Sequence, residues 1–239
     1  MSQTKMSQRD LILRNDWDLL VILDACRYDT FENVNWIPGS LSKVVSSGSA
    51  TMEWLRNTFT GSYPDVIYVS SIPYIASRYM PKIHGDYIPS EHFGKILDLW
   101  HFAYDYATMT VLPETVGHVA LQFRTRRVIA HFIQPHAPMI GDPDFTMRTW
   151  KQLTGEETFG AFPPFDVIFE CGYGNLLRVA YRENLRKALT EVEKLVGSWD
   201  GKVVITADHG EGFGENGVFG HREGLRTPEL VEVPWLEVS

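Results

Sequence analysis

Three apolar runs in this 239-residue chain lead into residues able to hold a metal or move a proton. Leu19–Leu23 (LLVIL) runs into Asp24 within DACRYD, and 128–133 (VIAHFI) leads to His136 within PHAP. Val203–Thr206 (VVIT) leads through Ala207 to the adjacent pair Asp208 and His209. In open α/β sheets, sites collect beyond the carboxyl ends of the strands. A carboxylate beside an imidazole offers mixed oxygen and nitrogen donors that suit a divalent cation. An Asp after a strand is also a common cap of the next helix, so Asp24 taken alone leaves both readings open. Asp208-His209 is followed by glycines at 210, 212, 214, 217 and 220. Glycines let the backbone approach a ligand closely, so this pair reads as a metal or phosphate site.

The elements that must position these residues follow from periodicity. Uninterrupted apolar runs at 19–23, 66–69, 128–133 and 203–206 have the pattern of strands buried on both faces. The clearest helix is predicted over 175–196. There Tyr181, Leu185, Ala188, Val192 and Leu195 step by four and three, and Glu183 stands four residues before Lys187. Further helices are expected over 114–123, after Pro113, and over 52–59. Buried strands alternating with helices imply an α/β fold with a mainly parallel sheet and helices on both faces. The stretch 135–164 is rich in Pro, Gly and Asp and reads as an irregular lid or substrate loop. Residues 1–239 read as one domain.

In the stretch 46–61 (SSGSATMEWLRNTFTG), small hydroxylated residues precede the helix expected near Thr51. A hydroxyl there lies near free N–H groups and a positive dipole end that favour an anionic oxygen. On local sequence alone, Ser49 and Thr51 read equally well as an N-cap and a Ser/Gly turn.

ADHGEGFGENG, then GHREG and VPWLEV, resembles the C-terminal signature of the sulfatase-like branch of the alkaline phosphatase superfamily. In that signature a buried strand delivers Asp-His to a metal, and a Gly-His follows about a dozen residues later. VILDACRYDTF resembles the family's first strand, whose final Asp binds the same metal. The family nucleophile lies nine residues before a Thr-Gly. Here Thr60-Gly61 precedes Ser62-Tyr63-Pro64, and the count back from Thr60 reaches Thr51. PHAP resembles a segment that sets a His beside the substrate.

The resemblance implies an alkaline phosphatase-like three-layer sandwich. It also implies a divalent cation (Mn²⁺, Zn²⁺ or Mg²⁺) held by Asp24, Thr51, Asp208 and His209. Thr51 would attack an anionic ester substrate, a phosphate mono- or diester, to give a phosphothreonine. His136 and His221 would bind a non-bridging oxygen or protonate the leaving group. The alternatives are a sulfate-ester hydrolase and a non-catalytic metal- or anion-binding relative.

The departures from the family pattern are informative. Thr51 is followed by Met52, Glu53, Trp54 and Leu55, which does not fit the motif for formylglycine formation, and neither does the sequence after Cys26. Threonine nucleophiles in this superfamily accompany phosphoryl transfer. A single Asp ends the first strand, and no Asp-x-x-x-His element is present, so one metal is favoured; His136 and His221 remain available for a second site. The chain is shorter than typical members, so the usual C-terminal subdomain is not expected here.

Of the remaining histidines, His131 lies in an apolar strand and reads as a hydrogen-bonded core residue. His84, His92, His101 and His118 read as packing or surface residues. The aromatics of 100–106 are expected in the core and pocket wall. Arg27 and Asp29 read either as groups orienting Asp24 or as a helix-start ion pair.

Composition excludes several classes. A formal charge of -8 and a pI near 5.5 argue against a phosphate-backbone binder, which needs clustered Lys and Arg. The cluster Arg124, Arg126 and Arg127 reads as a solvated element end. Two cysteines, Cys26 and Cys171, are too few for a disulfide framework. No signal-peptide core and no membrane-length apolar stretch is evident, so a cytoplasmic location is the expectation; the oligomeric state is left open. A nucleotide-binding protein is set aside because no dinucleotide or P-loop glycine signature is recognised.

Overall fold

A computed structural model of the chain describes residues 6–14, 16–141 and 164–239. Strand β1 (Leu19–Leu23) is buried at every position, as an uninterrupted apolar run requires when both sheet faces are covered. It lies at the centre of a seven-stranded sheet with β2 (Gly39–Val45), β3 (Tyr63–Ser70), β4 (Phe93–Asp98), β5 (Arg127–Phe132), β6 (Val203–Thr206) and β9 (Glu232–Val238). The order is β2-β9-β6-β1-β5-β3-β4. β1 pairs in parallel with β5 and β6, and β3 in parallel with β4 and β5. Only β9 runs against its neighbours β2 and β6. β2 therefore points the same way as β6, and the ends of β1, β2, β3, β5 and β6 all open on one edge of the sheet. β7 (Gly212–Glu215) and β8 (Val218–Gly220) form a separate hairpin.

Helices flank the sheet. Pro113–Leu121 and α2 (Tyr28–Val34) both pack on the long helix Gly174–Gly197, while α1 (Gln8–Leu13) packs on α3 (Thr51–Thr58). The expected three-layer α/β architecture is the observed one.

Several expectations are refined by the structure. In the long helix Tyr181, Leu185, Ala188, Val192 and Leu195 are buried as the periodicity requires. Glu183, however, pairs with Arg186 at 2.5 Å rather than with Lys187. Of the aromatic run 100–106, Trp100 packs against the core as expected, whereas Phe102 is 63% and Tyr106 82% exposed. The excursion expected over 135–164 is described only up to Gly141 and at Pro164. Its remainder lies outside the described residues.

Candidate metal centre

At the end of β1 the chain turns sharply. Ala25 adopts φ 57, a left-handed conformation that a non-glycine residue holds only where its surroundings impose it. The Ala25 N–H donates to Asp208 Oδ1 at 3.1 Å, and the Ala25 carbonyl accepts from Tyr181 Oη at 2.6 Å. This turn sets the side chain of Asp24, 5% exposed, beside Asp208 and His209, which are fully buried. His209 Nε2 lies 3.4 Å from Asp208 Oδ2 and 3.6 Å from Asp24 Oδ1. The ligand atoms of the three residues fall within 4.8 Å of one another.

Hydrogen accounting shows what this cluster lacks. His209 Nδ1 lies 2.8 Å from the Gly210 carbonyl and donates to it, which leaves the Nε2 lone pair facing the carboxylates. Asp24 Oδ1 and Asp208 Oδ2 are buried with no hydrogen-bond partner. Burial, with the Asp208 and Glu211 charges, pushes the Asp24 carboxyl well above the usual carboxylate range. Burial pushes the His209 imidazole down, so it is neutral at neutral pH. Two unpartnered carboxylate oxygens and a neutral imidazole nitrogen fit a divalent cation.

Thr51 is brought to the same place by β2 and the turn after it. The Ser46 hydroxyl at the end of β2 donates to the Asp208 carbonyl. The turn passes so close to α3 that a Cβ on Gly48 would lie 2.2 Å from the Trp54 nitrogen. Ala50, not Thr51, is the N-cap of α3, and Thr51 is the first helical residue. Its hydroxyl lies 3.3 Å from His209 Nε2. Ser49 instead serves the turn, its N–H donating to the Glu53 carboxylate at 2.7 Å.

A second triad sits over the first. The ligand atoms of His136, Glu211 and His221 also lie within 4.8 Å of one another. The imidazoles of His209 and His221 are 4.2 Å apart, and those of His136 and His221 5.2 Å. His221 reaches this position because Asn216 (φ 51) and Gly217 (φ 76) close the β7–β8 hairpin as a two-residue turn, the preference of Asn-Gly sequences. His221 Nδ1 is 2.9 Å from Glu211 Oε1. Burial works against charge on both, but their attraction prevails: the His221 imidazole is pushed up and the Glu211 carboxyl down. The His136 imidazole is pushed down, first by burial and then by His221.

These contacts reassign the glycines. Gly210 makes room for the Glu229 carbonyl, 2.1 Å from where its Cβ would lie, and Gly214, Gly217 and Gly220 take positive φ in the hairpin. Gly210 thus serves backbone packing, while Gly217 and Gly220 shape the hairpin and line the cleft beside His136 and His221. Residues 212–217 do spell G-x-G-x-x-G, which corrects the reading that no such signature exists. They form a hairpin, however, and not the strand-to-helix turn that binds dinucleotides.

No protein-family model matches the sequence, and no curated protein does. Solved structures do match. One is the soluble domain of lipooligosaccharide phosphoethanolamine transferase A from Neisseria meningitidis: 13% identity, 92% of this chain, 75% of that one, TM-score 0.55. Another is the C-terminal periplasmic domain of EcEptC from Escherichia coli in complex with zinc: 13% identity, 92% and 72% coverage, TM-score 0.55. A 2-O GAG sulfatase matches at 13% identity, 92% and 63% coverage, TM-score 0.50. The chain shares the fold of these phosphoethanolamine transferase domains and of this sulfatase.

On this scaffold the structure brings together Asp24, Thr51, Asp208 and His209, with His136 and His221 above them. Sequence reasoning overlooked two contributors. Glu211, 1% exposed, was readable only as another acidic residue in a glycine-rich run. Asn184, fully buried, lies on the long helix and holds the PHAP segment: its Nδ2 is within 3.2 Å of the Pro135, His136 and Pro138 carbonyls. A polar residue on the apolar face of that helix was the available signal. His131 is the hydrogen-bonded core residue expected, fully buried with Tyr68 Oη at 2.8 Å, and its other ring nitrogen faces Asp208 Oδ2 at 3.8 Å.

Arg27 and Asp29 prove to be a helix-start ion pair that also fastens the hairpin. The Arg27 guanidinium reaches both Asp29 oxygens (2.6 and 2.9 Å), Glu215 at 2.8 Å and the Glu211 carbonyl at 3.1 Å. A cleft of about 540 Å³ opens over His136, Glu211 and His221, with Phe165, Phe219 and Arg222 among its walls.

Proposed function

We propose that the chain cleaves or transfers a phosphate ester through Thr51, with one divalent cation held by Asp24, Asp208, His209 and the Thr51 oxygen. The observation that carries this reading is the 3.3 Å approach of Thr51 Oγ1 to His209 Nε2 at the first residue of α3. A nucleophile there faces free helix N–H groups that stabilise charge on phosphoryl oxygens. When bound, the cation lowers the pKa of a coordinated hydroxyl and offsets phosphoryl charge.

Thr51 gives its hydroxyl proton to water, and its Oγ1 forms a bond to phosphorus as the bond to the leaving oxygen breaks, giving a phosphothreonine. The leaving oxygen takes a proton from His221, which Glu211 holds in its charged form, while the neutral His136 binds a phosphoryl oxygen. Environments that push two neighbouring pKa values apart support this division of roles. Glu211 commits an oxygen to His221, which favours acid–base work by the upper triad over a second cation. Water or an acceptor hydroxyl then releases the phosphoryl group. Arg222 at the cleft wall adds positive charge for an anionic ester.

Turnover of aryl phosphates, phosphodiesters and aryl sulfates, each with Mn²⁺, Mg²⁺ or Zn²⁺, tests this reading. Cation-dependent phosphate or phosphodiester cleavage is expected. Cleavage of sulfates alone would select the sulfatase alternative.

A further inference from the structure

The buried pair His131 and Tyr68 has no part in the scheme above. His131 stands in β5 between Ile22 of β1 and Ser70 of β3. It is fully buried, with the Trp54 ring of α3 edge-on at 6.0 Å. Its Nδ1 lies 2.8 Å from Tyr68 Oη. Its Nε2 has no hydrogen-bond partner and faces Asp208 Oδ2, itself unpartnered, at 3.8 Å. An imidazole nitrogen and a carboxylate oxygen, both orphaned and facing each other, are rare in a protein interior.

The hydrogens can be assigned by accounting. His131 Nδ1 is the one partner of the Tyr68 hydroxyl among the described residues, and Tyr68 is fully buried. If Nδ1–H donated to that hydroxyl, the phenolic hydrogen would be buried with no acceptor. Tyr68 therefore donates to Nδ1, and the ring hydrogen resides on Nε2, pointing at Asp208. Asp208 Oδ1 already accepts from Ala25 N and His209 N at 3.1 and 2.9 Å, so Oδ2 is the oxygen left to orient.

We infer that His131 is a positioning residue: its Nε2–H, fixed by Tyr68, orients Asp208 Oδ2 as a cation ligand without binding the cation. Closing the gap to a hydrogen bond takes a movement of under about 1 Å. Such outer hydrogen bonds to ligating carboxylates sustain metal affinity. The inference rests on the cation reading of the Asp24–Asp208–His209 cluster.

The test is Zn²⁺ affinity and stoichiometry of the full chain, measured by competition with a chromogenic chelator; fold is checked by circular dichroism. One bound Zn²⁺ is expected in the parent chain and none in Asp208→Ala. His131→Leu should keep one Zn²⁺ but bind it about 10–100-fold more weakly. His131→Gln, whose amide can donate from a similar reach, should recover much of the loss, and Tyr68→Phe should weaken binding less than His131→Leu does. Unchanged affinity in a folded His131→Leu overturns the positioning role and leaves the cation reading standing. Loss of the bound ion in both His131→Leu and His131→Gln makes His131 a ligand and likewise overturns it. A parent chain that binds no Zn²⁺ overturns both.

Discussion

Thr51 Oγ1 and His209 Nε2 lie 3.3 Å apart although 158 positions separate the two residues in the chain. Replacing Thr51 with Ala should lower phosphate-ester turnover by about 10³-fold or more, the scale of losing a nucleophile, with the fold intact. Thr51→Ser, which keeps the hydroxyl, should retain part of the activity. Intact-mass measurement of acid-quenched reactions should find a phosphorylated chain in the parent and none in Thr51→Ala. Equal turnover in parent and Thr51→Ala would reject the nucleophile.

Cation binding should stabilise the chain, and more so as pH rises. Burial and the neighbouring charges of Asp208 and Glu211 raise the Asp24 pKa. A group whose folded pKa is raised contributes stability below its unfolded value and loses it as pH climbs through the folded one. The cation-free form therefore weakens from the ordinary carboxylate range upward, while a bound cation favours the ionised carboxylate. At cation concentrations about 1,000 times Kd the gain should be about 4 kcal/mol. Thermal unfolding with and without Zn²⁺ at pH about 5 and about 8 checks this; a larger Tm gain at the lower pH would contradict it.

How far the sequence reached can be read from individual residues. β1 and β6, buried on both faces, were legible to the residue because nothing polar interrupts them. The edge strands β2 and β4 were not: both expose residues along their length, so neither run is apolar throughout. Asp24, Asp208 and His209 were legible because Asp24 follows a buried strand directly and the pair Asp208-His209 follows one after Ala207 alone. Thr51 was legible only through a family-like spacing, since local sequence reads equally well as a turn. Glu211 stayed hidden because its role depends on pairing with His221, which only the β7–β8 hairpin brings alongside; His131 was legible as a hydrogen-bonded core residue, but its partner Tyr68 and its neighbour Asp208 lie far away in the chain.

Glu211 should set the alkaline limb of the activity profile. Burial lowers the His221 pKa, but the Glu211 charge and its 2.9 Å hydrogen bond more than offset this and raise it. A proton donor with a raised pKa stays charged to higher pH, so activity falls only above that value. In Glu211→Gln the opposing charge is gone while burial remains, and the alkaline limb should move down by about one pH unit or more. kcat measured across pH for both forms checks this; coincident profiles would exclude His221 as the proton donor.

Asn184 should matter to the site by holding the backbone that carries His136. Its Nδ2 faces three carbonyls of the segment carrying His136, and its Oδ1 accepts from the Gly141 N–H at 3.1 Å. Asn184→Leu fills similar volume but leaves those buried backbone groups without their partner. Each such group costs about 1–3 kcal/mol, so urea unfolding should show a loss of at least that size. Because the proposed ligands Asp24, Asp208 and His209 lie outside the segment that Asn184 holds, Zn²⁺ stoichiometry should stay at one per chain. The kinetic deficit should instead appear in KM for the ester, as His136 drifts from its place above His209. A variant with parent stability and parent KM would show that the PHAP segment holds its shape without the helix.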